Sequence, residues 1–138
     1  MYKISKDEMF LIGNVGMQAV IMGLGEKALP LLQFMLKERP KNGTSYIAMA
    51  FYHLSYDNVD SALKIIEEDD KGFHVEHAMN ELMAVYIHLL SISGRQSEVI
   101  TFGQSLIDEN IVDDETAIKS INETIDRVNK NTQEFAHS

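Results

Sequence analysis

The sequence contains no cysteine among its 138 residues. This absence excludes disulfide bonds, thiolate catalysis and zinc sites built on cysteine ligands. Long apolar runs are also lacking, because charged residues interrupt the hydrophobic stretches, so we expect no membrane insertion. The first eight residues lack the apolar segment of a secretory signal, which leads us to expect a cytoplasmic protein.

Basic residues are scarce. Lysine and arginine number 12 against 21 acidic residues, which gives a formal net charge of -9. Binding to phosphate depends on clustered lysine and arginine, so nucleic acids are not expected as partners. The eight methionines favour a surface that adapts to apolar partners, although methionine also fills ordinary cores. The acidic runs at 67–70 and 108–115 are interpreted as solvated loops or helix ends.

Motifs for catalysis are missing as well. No Gly-Lys-Ser/Thr element, no Gly-x-Ser-x-Gly turn and no His-Glu-x-x-His helix occurs. His74 and His77 could share a helical face, but no third ligand stands at a suitable spacing. We therefore expect neither an enzyme nor a metal or cofactor site.

What the sequence does contain is a stretch that occurs twice. Ala28 and Ala62 lie 34 residues apart, and the leucines that follow them have the same separation. This is the period of the tetratricopeptide repeat, a unit of two antiparallel helices in which a small residue permits close helix crossing. Pro40 closes the first unit, and Val99 occupies the alanine position of an irregular third unit, 37 residues after Ala62.

These patterns predict an all-α protein. We expect a right-handed superhelix of about three tetratricopeptide-like helix pairs followed by a C-terminal capping helix. The single domain covers residues 1–130, and residues 131–138 form a flexible tail. Pro30 requires its helix either to start nearer Lys27 or to kink. A charged loop is predicted at 69–73, and helices are predicted at 9–22, 26–39, 44–55, 60–69, 77–92, 96–108 and from 113–115 onward.

In this repeat the first helix of each unit lines a concave groove. The groove positions are mostly apolar here, which suits an amphipathic helix or an apolar extended segment of a partner protein. Individual residues could instead belong to the core between helices. Gly13 and Met17 replace the lysine and asparagine that clamp acidic heat-shock tails, so such tails are not expected as partners. The predicted partner-binding residues are Phe10, Met17, Val20, Ile21, Ile47, Phe51, Leu54 and His88.

Residues 11–17, Gly23, 26–28, 38–40 and 61–63 give the chain a resemblance to the small tetratricopeptide-repeat chaperones of type III secretion needle subunits. The resemblance covers roughly residues 9–70 and rests mostly on general repeat features. It implies a cytoplasmic chaperone that holds the helix of a needle or other secreted subunit, with or without a co-chaperone, and prevents premature self-assembly. The alternative is a scaffold subunit that associates with itself, for example as a homodimer, and has no secreted client.

Overall fold

The computed structural model describes residues 25–136, and side chains through residue 133. All regular structure in this part of the chain is helical, apart from one isolated parallel bridge between Asn42 and His77. The all-α prediction is confirmed for these residues. The predicted helix at 9–22 lies outside the described residues.

Six α-helices and one 3₁₀ segment follow one another along residues 25–136. The first and last residues of the α-helices lie within about two positions of the predicted ones, except at the end of the last helix. They are α1 (Gly25–Glu38), α2 (Gly43–Leu54), α3 (Val59–Glu67), the 3₁₀ segment (Glu68–His74), α4 (Met79–Ile92), α5 (Gln96–Asp108) and α6 (Glu115–Ala136).

The chain divides into two compact units, with the boundary between Ala78 and Met79. The predicted single domain over residues 1–130 stays a prediction. Residues 131–136, which the sequence assigned to a tail, continue α6.

The first unit contains α1, α2 and α3, joined by connections of four residues. Short connections make each helix antiparallel to the next. Apolar residues one turn apart on α1 pack against the buried face of α2. The buried residues of this contact are Ala28, Leu32, Met35, Ala48 and Met49.

Helix α1 begins at Gly25 and continues through Pro30 to Glu38. The helix therefore starts before Lys27, and the alternative of a later start nearer Lys27 is wrong. Pro30 is exposed on the second turn. Because proline has no N–H, the carbonyl oxygen of Glu26 lacks the donor that the helix would otherwise supply at residue 30.

Between α3 and α4 the structure differs from the predicted charged loop. Residues 68–74 form a 3₁₀ segment in which Asp69 and Asp70 have φ values of 53° and 56°. Gly72 is buried against α3, and a Cβ atom there would lie 2.5 Å from Cγ2 of Ile66. The sequence indicated Gly72 as a loop residue, but its requirement for close packing depends on Ile66 and is not visible in the local pattern.

The second unit consists of α4, α5 and α6, each of which packs against the other two. Val99 and Leu106 of α5 are buried, and α6 buries Ala117, Ile121, Ile125 and Val128. The charged residues Lys119, Glu123 and Asp126 of α6 are exposed. At Gly103 a Cβ atom would be 3.1 Å from Cδ1 of Ile125, so the glycine permits α5 and α6 to approach closely.

Candidate partner-binding surface

Helix α2 carries an apolar stripe on its solvent side. Ile47, Phe51 and Leu54 follow the spacing of four and three residues that places side chains on one helical face. Phe51 is 38% exposed, whereas Ile47 and Leu54 are half-buried. We call these three residues the α2 stripe. Its residues are not part of the closed core, so a partner could remove further apolar area from water.

The opposite side of α2 is closed. Residues at the intervening positions are almost fully buried, and Tyr46 donates its hydroxyl hydrogen bond to the carbonyl oxygen of Pro40 at 3.1 Å. Burial raises the pKa of the Tyr46 phenol. The buried residues of α2 are Gly43, Ser45, Tyr46, Ala48, Met49 and Ala50. Because they fix the rotation of the helix, they also determine that the α2 stripe points to solvent.

The N-terminus of α2 is held by two independent contacts. The side chain of Asn42 accepts a hydrogen bond from the backbone N–H of Thr44 at 3.0 Å, which caps the helix. The Gly43 N–H donates to the carbonyl oxygen of His77 at 2.8 Å. A side chain at Gly43 would meet the Ala78 carbonyl oxygen at 2.6 Å, so only glycine allows this approach.

Residues 76 and 77 pair with residue 41 beside this helix start. The N–H groups of Glu76 and His77 donate to the Lys41 carbonyl oxygen at 2.7 and 3.2 Å. The side chains of Lys41 and Glu76 form an ion pair at 3.2 Å. Both side chains are well exposed, so the backbone hydrogen bonds contribute more to the pairing than the charges do.

An aromatic cluster lies at the C-terminal end of α2. The ring of Tyr52 meets those of His53 and Tyr56 edge to face, at centroid distances of 5.2 and 5.3 Å. Burial lowers the pKa of His53, which favours the neutral imidazole. Partial desolvation, and then the nearby Glu26 carboxylate, raise the pKa of Tyr56, which is 50% exposed.

The structure brings together only part of the predicted groove. Phe10, Met17, Val20 and Ile21 lie outside the described residues. His88 is exposed on α4, in the second unit, and so belongs to a different unit from the α2 stripe.

In the register of the irregular third unit, the predicted groove positions on α4 are Glu81, Ala84, His88, Ser91 and Ile92, and none of them is fully buried. Glu81, His88 and Ile92 are exposed on α4, and Ala84 and Ser91 are half-buried. Ile92 is 51% exposed and was not among the predicted partner-binding residues, although it occupies a groove position in the same register as His88. Its exposure makes it the main apolar side chain of this face.

Three further exposed apolar residues were not predicted as binding residues. Tyr56 follows α2, Ile111 lies in the connection between α5 and α6 at 42% exposure, and Leu31 is 36% exposed on α1. In the repeat pattern, Leu31 and Leu32 follow Ala28 by three and four residues, and both are predicted to fill the groove between helices. Only Leu32 is buried, because Ala28, Leu32 and Met35 define the packed face of α1. That helical spacing was the signal that could have separated the two leucines.

Within residues 25–133, no group of three histidine, aspartate or glutamate side chains is arranged to hold a metal ion. His74 and His77 are both exposed at the end of the 3₁₀ segment and just after it. No helix in the described part of the chain is long and apolar enough to cross a membrane.

Comparison with protein-family models, with curated proteins and with solved structures gives no match to this chain.

Proposed function

We propose that this chain is a helical-repeat protein of the tetratricopeptide type that binds an amphipathic helix of a protein partner. The observation that carries the proposal is the α2 stripe, which keeps Phe51 38% exposed between two half-buried aliphatic residues on one face of a capped helix. An amphipathic helix would bury this stripe with its own apolar side chains.

The positions of the helices support the repeat. Helices α1 and α3 begin at Gly25 and Val59, which are 34 residues apart, and α5 begins at Gln96, a further 37 residues on. The alanines that define the period, Ala28 and Ala62, are 1% and 0% exposed. Such burial is expected where a neighbouring helix crosses closely, as the repeat requires.

Helices α5 and α6 support the same arrangement. Val99, in the alanine position of the third unit, is fully buried. Helix α6 has one buried apolar stripe and a charged outer face, which suits the helix that terminates a repeat array. The proposed architecture is a right-handed superhelix of about three helix pairs with α6 as its cap.

The resemblance to needle-subunit chaperones indicates which class of protein the partner belongs to. In this proposal the client is a secreted, helix-forming subunit that polymerises after export. The chain would act in the cytoplasm, cover the apolar face of the client and keep it from assembling early. The formal charge of -9 would help to keep the complex soluble.

Self-association is the second candidate function, and the exposed apolar residues of the second unit favour it. Ile92 and Ile111 are 51% and 42% exposed, and Ile111 lies outside the predicted groove positions. A homo-oligomer could bury them together with the α2 stripe. The chain would then be a scaffold subunit without a secreted client.

A mild affinity purification from the native host tests the proposal, followed by mass spectrometry and by a mass determination of the intact complex. A small secreted, helix-forming protein recovered at one-to-one stoichiometry is the expected result. Recovery of the chain alone, as a stable homo-oligomer, would contradict the chaperone role and support the scaffold.

A further inference from the structure

The sequence contains one Asn-Gly pair, Asn42-Gly43, and it lies at the N-terminus of α2. Asn-Gly is the dipeptide in which asparagine deamidates most readily, because glycine lacks the Cβ atom that would keep its backbone nitrogen away from the asparagine side chain. Each of the other asparagines precedes a residue with a side chain. Asn42 is thus the asparagine whose following residue most favours deamidation.

The folded geometry opposes that reaction. The Gly43 nitrogen, which would be the nucleophile, donates its hydrogen to the His77 carbonyl oxygen at 2.8 Å. The Asn42 side chain, which would be the electrophile, is turned to the Thr44 N–H at 3.0 Å. Asn42 has φ and ψ values of -103° and 115°. In this extended conformation the Gly43 nitrogen cannot reach Cγ of Asn42.

We propose that Asn42 is a deamidation site that is controlled by the pairing of residues 41–43 with residues 76–77. When the pairing opens, a base in solution removes the Gly43 amide proton, and the nitrogen attacks Cγ of Asn42. The new C–N bond closes a succinimide ring while the bond from Cγ to the side-chain nitrogen breaks. That nitrogen takes a proton from the solvent and leaves as ammonia. Water then opens the ring at either carbonyl and yields aspartate or isoaspartate.

The two products affect α2 differently. Aspartate at residue 42 still accepts the Thr44 hydrogen bond, because aspartate and asparagine are equally good helix caps. Isoaspartate adds a methylene group to the backbone between residues 42 and 43. This addition shifts Gly43 away from His77 and disrupts the first turn of the helix that carries the α2 stripe. The inference does not depend on the proposed partner.

The full chain is incubated at mildly alkaline pH in buffer and in a series of urea concentrations. Peptide mapping with mass spectrometry then quantifies aspartate and isoaspartate at residue 42. The rate in buffer is expected to be at least about tenfold lower than in the unfolded chain, because only the opened fraction reacts. Equal rates in buffer and urea would overturn the proposal, and so would the absence of product at residue 42 in both.

Two variants at one position separate the backbone pairing from the ion pair. Glu76→Pro removes the N–H that donates to Lys41, and we expect it to accelerate deamidation several-fold while helical content is retained. Glu76→Gln removes only the ion pair and should leave the rate unchanged. A helical Glu76→Pro variant with the wild-type rate would overturn the proposal. If that variant unfolds, the wild-type urea series decides alone.

Discussion

The side chain of Asn80 and the residue Asp113 hydrogen-bond each other in both directions across 33 residues of sequence. The Asn80 side-chain nitrogen donates to the Asp113 carboxylate at 3.0 Å, and its oxygen accepts from the Asp113 backbone N–H at 2.8 Å. The same oxygen accepts from the N–H of Asp114 at 3.2 Å. Asp114 in turn caps α6 by accepting from the N–H of Ala117. One asparagine on α4 thereby fixes the start of α6 in the second unit.

Replacing Asn80 with alanine removes three hydrogen bonds at once. We expect the free energy of unfolding to fall by about 1–2 kcal/mol, since each net hydrogen bond contributes about 1 kcal/mol or less near the surface. Urea unfolding followed by circular dichroism measures the change. Gln104→Ala is the matched control, because Gln104 bonds only Asp108 on its own helix. Its expected effect is under about 0.5 kcal/mol. Equal losses in the two variants would contradict the role assigned to Asn80.

Two glycines are needed for different reasons. A methyl group at Gly43 would meet the Ala78 carbonyl oxygen at 2.6 Å, whereas nothing lies within 4 Å of a Cβ at Gly94, whose φ is 83°. Gly94→Ala should cost about 1 kcal/mol through backbone strain alone. Gly43→Ala should cost about 2 kcal/mol or more, because backbone atoms must move.

Asparagine at the same two positions separates the causes. Asn tolerates the left-handed conformation, so Gly94→Asn should recover most of the stability lost in Gly94→Ala. Gly43→Asn should be no better than Gly43→Ala, because its Cβ meets the same carbonyl group. Thermal unfolding of the four variants tests this. A rescue by asparagine at residue 43 would show that the close approach to Ala78 is not what requires glycine there.

His53 makes the stability of the chain depend on pH. Burial lowers the pKa of His53 in the folded chain below the ordinary value of 6.5, so the unfolded chain binds the proton more readily. The stabilisation is complete above the unfolded pKa and is lost as the pH falls through the folded one. Between pH of about 7.5 and about 5.5 we expect a loss of less than about 1 kcal/mol, because the ring is partly exposed and screened.

The measurement is urea unfolding across that pH range for the wild type and His53→Gln. The variant cannot take up the proton, so its stability should change less with pH than that of the wild type. A variant that retains the full wild-type pH dependence would assign the effect to another group.

The features of this fold that could be predicted from the sequence have local determinants. Asn42 and Asn58, which cap α2 and α3, and Gly94, which follows α4, lie in connections that were predicted between the helices. The groove positions of the repeat also predicted Ile47, Phe51 and Leu54, and these three residues lie on one face of α2.

Contacts between distant residues could not be derived in this way. The pairing of Lys41 with Glu76 and the bond of Asn80 to Asp113 join residues 35 and 33 positions apart, and no local pattern encodes either. The left-handed conformation of Asp69 and Asp70 and the packing of Gly72 on Ile66 were likewise absent from the predicted charged loop. Leu31 was assigned to a helix contact and is exposed, because the packed face of α1 is narrower than the repeat pattern suggests.

The central claim is that the α2 stripe binds a partner helix, and Phe51→Glu tests it most directly. The matched control is Ile111→Glu, since Ile111 is 42% exposed and Phe51 38%, but Ile111 lies outside the stripe. The wild type and both variants are used as bait in the affinity purification from the native host, with helical content checked by circular dichroism. We expect Phe51→Glu to remain helical and to lose at least about tenfold in partner recovery, while Ile111→Glu retains it. A folded Phe51→Glu variant that recovers the same partner at the wild-type level would contradict the account.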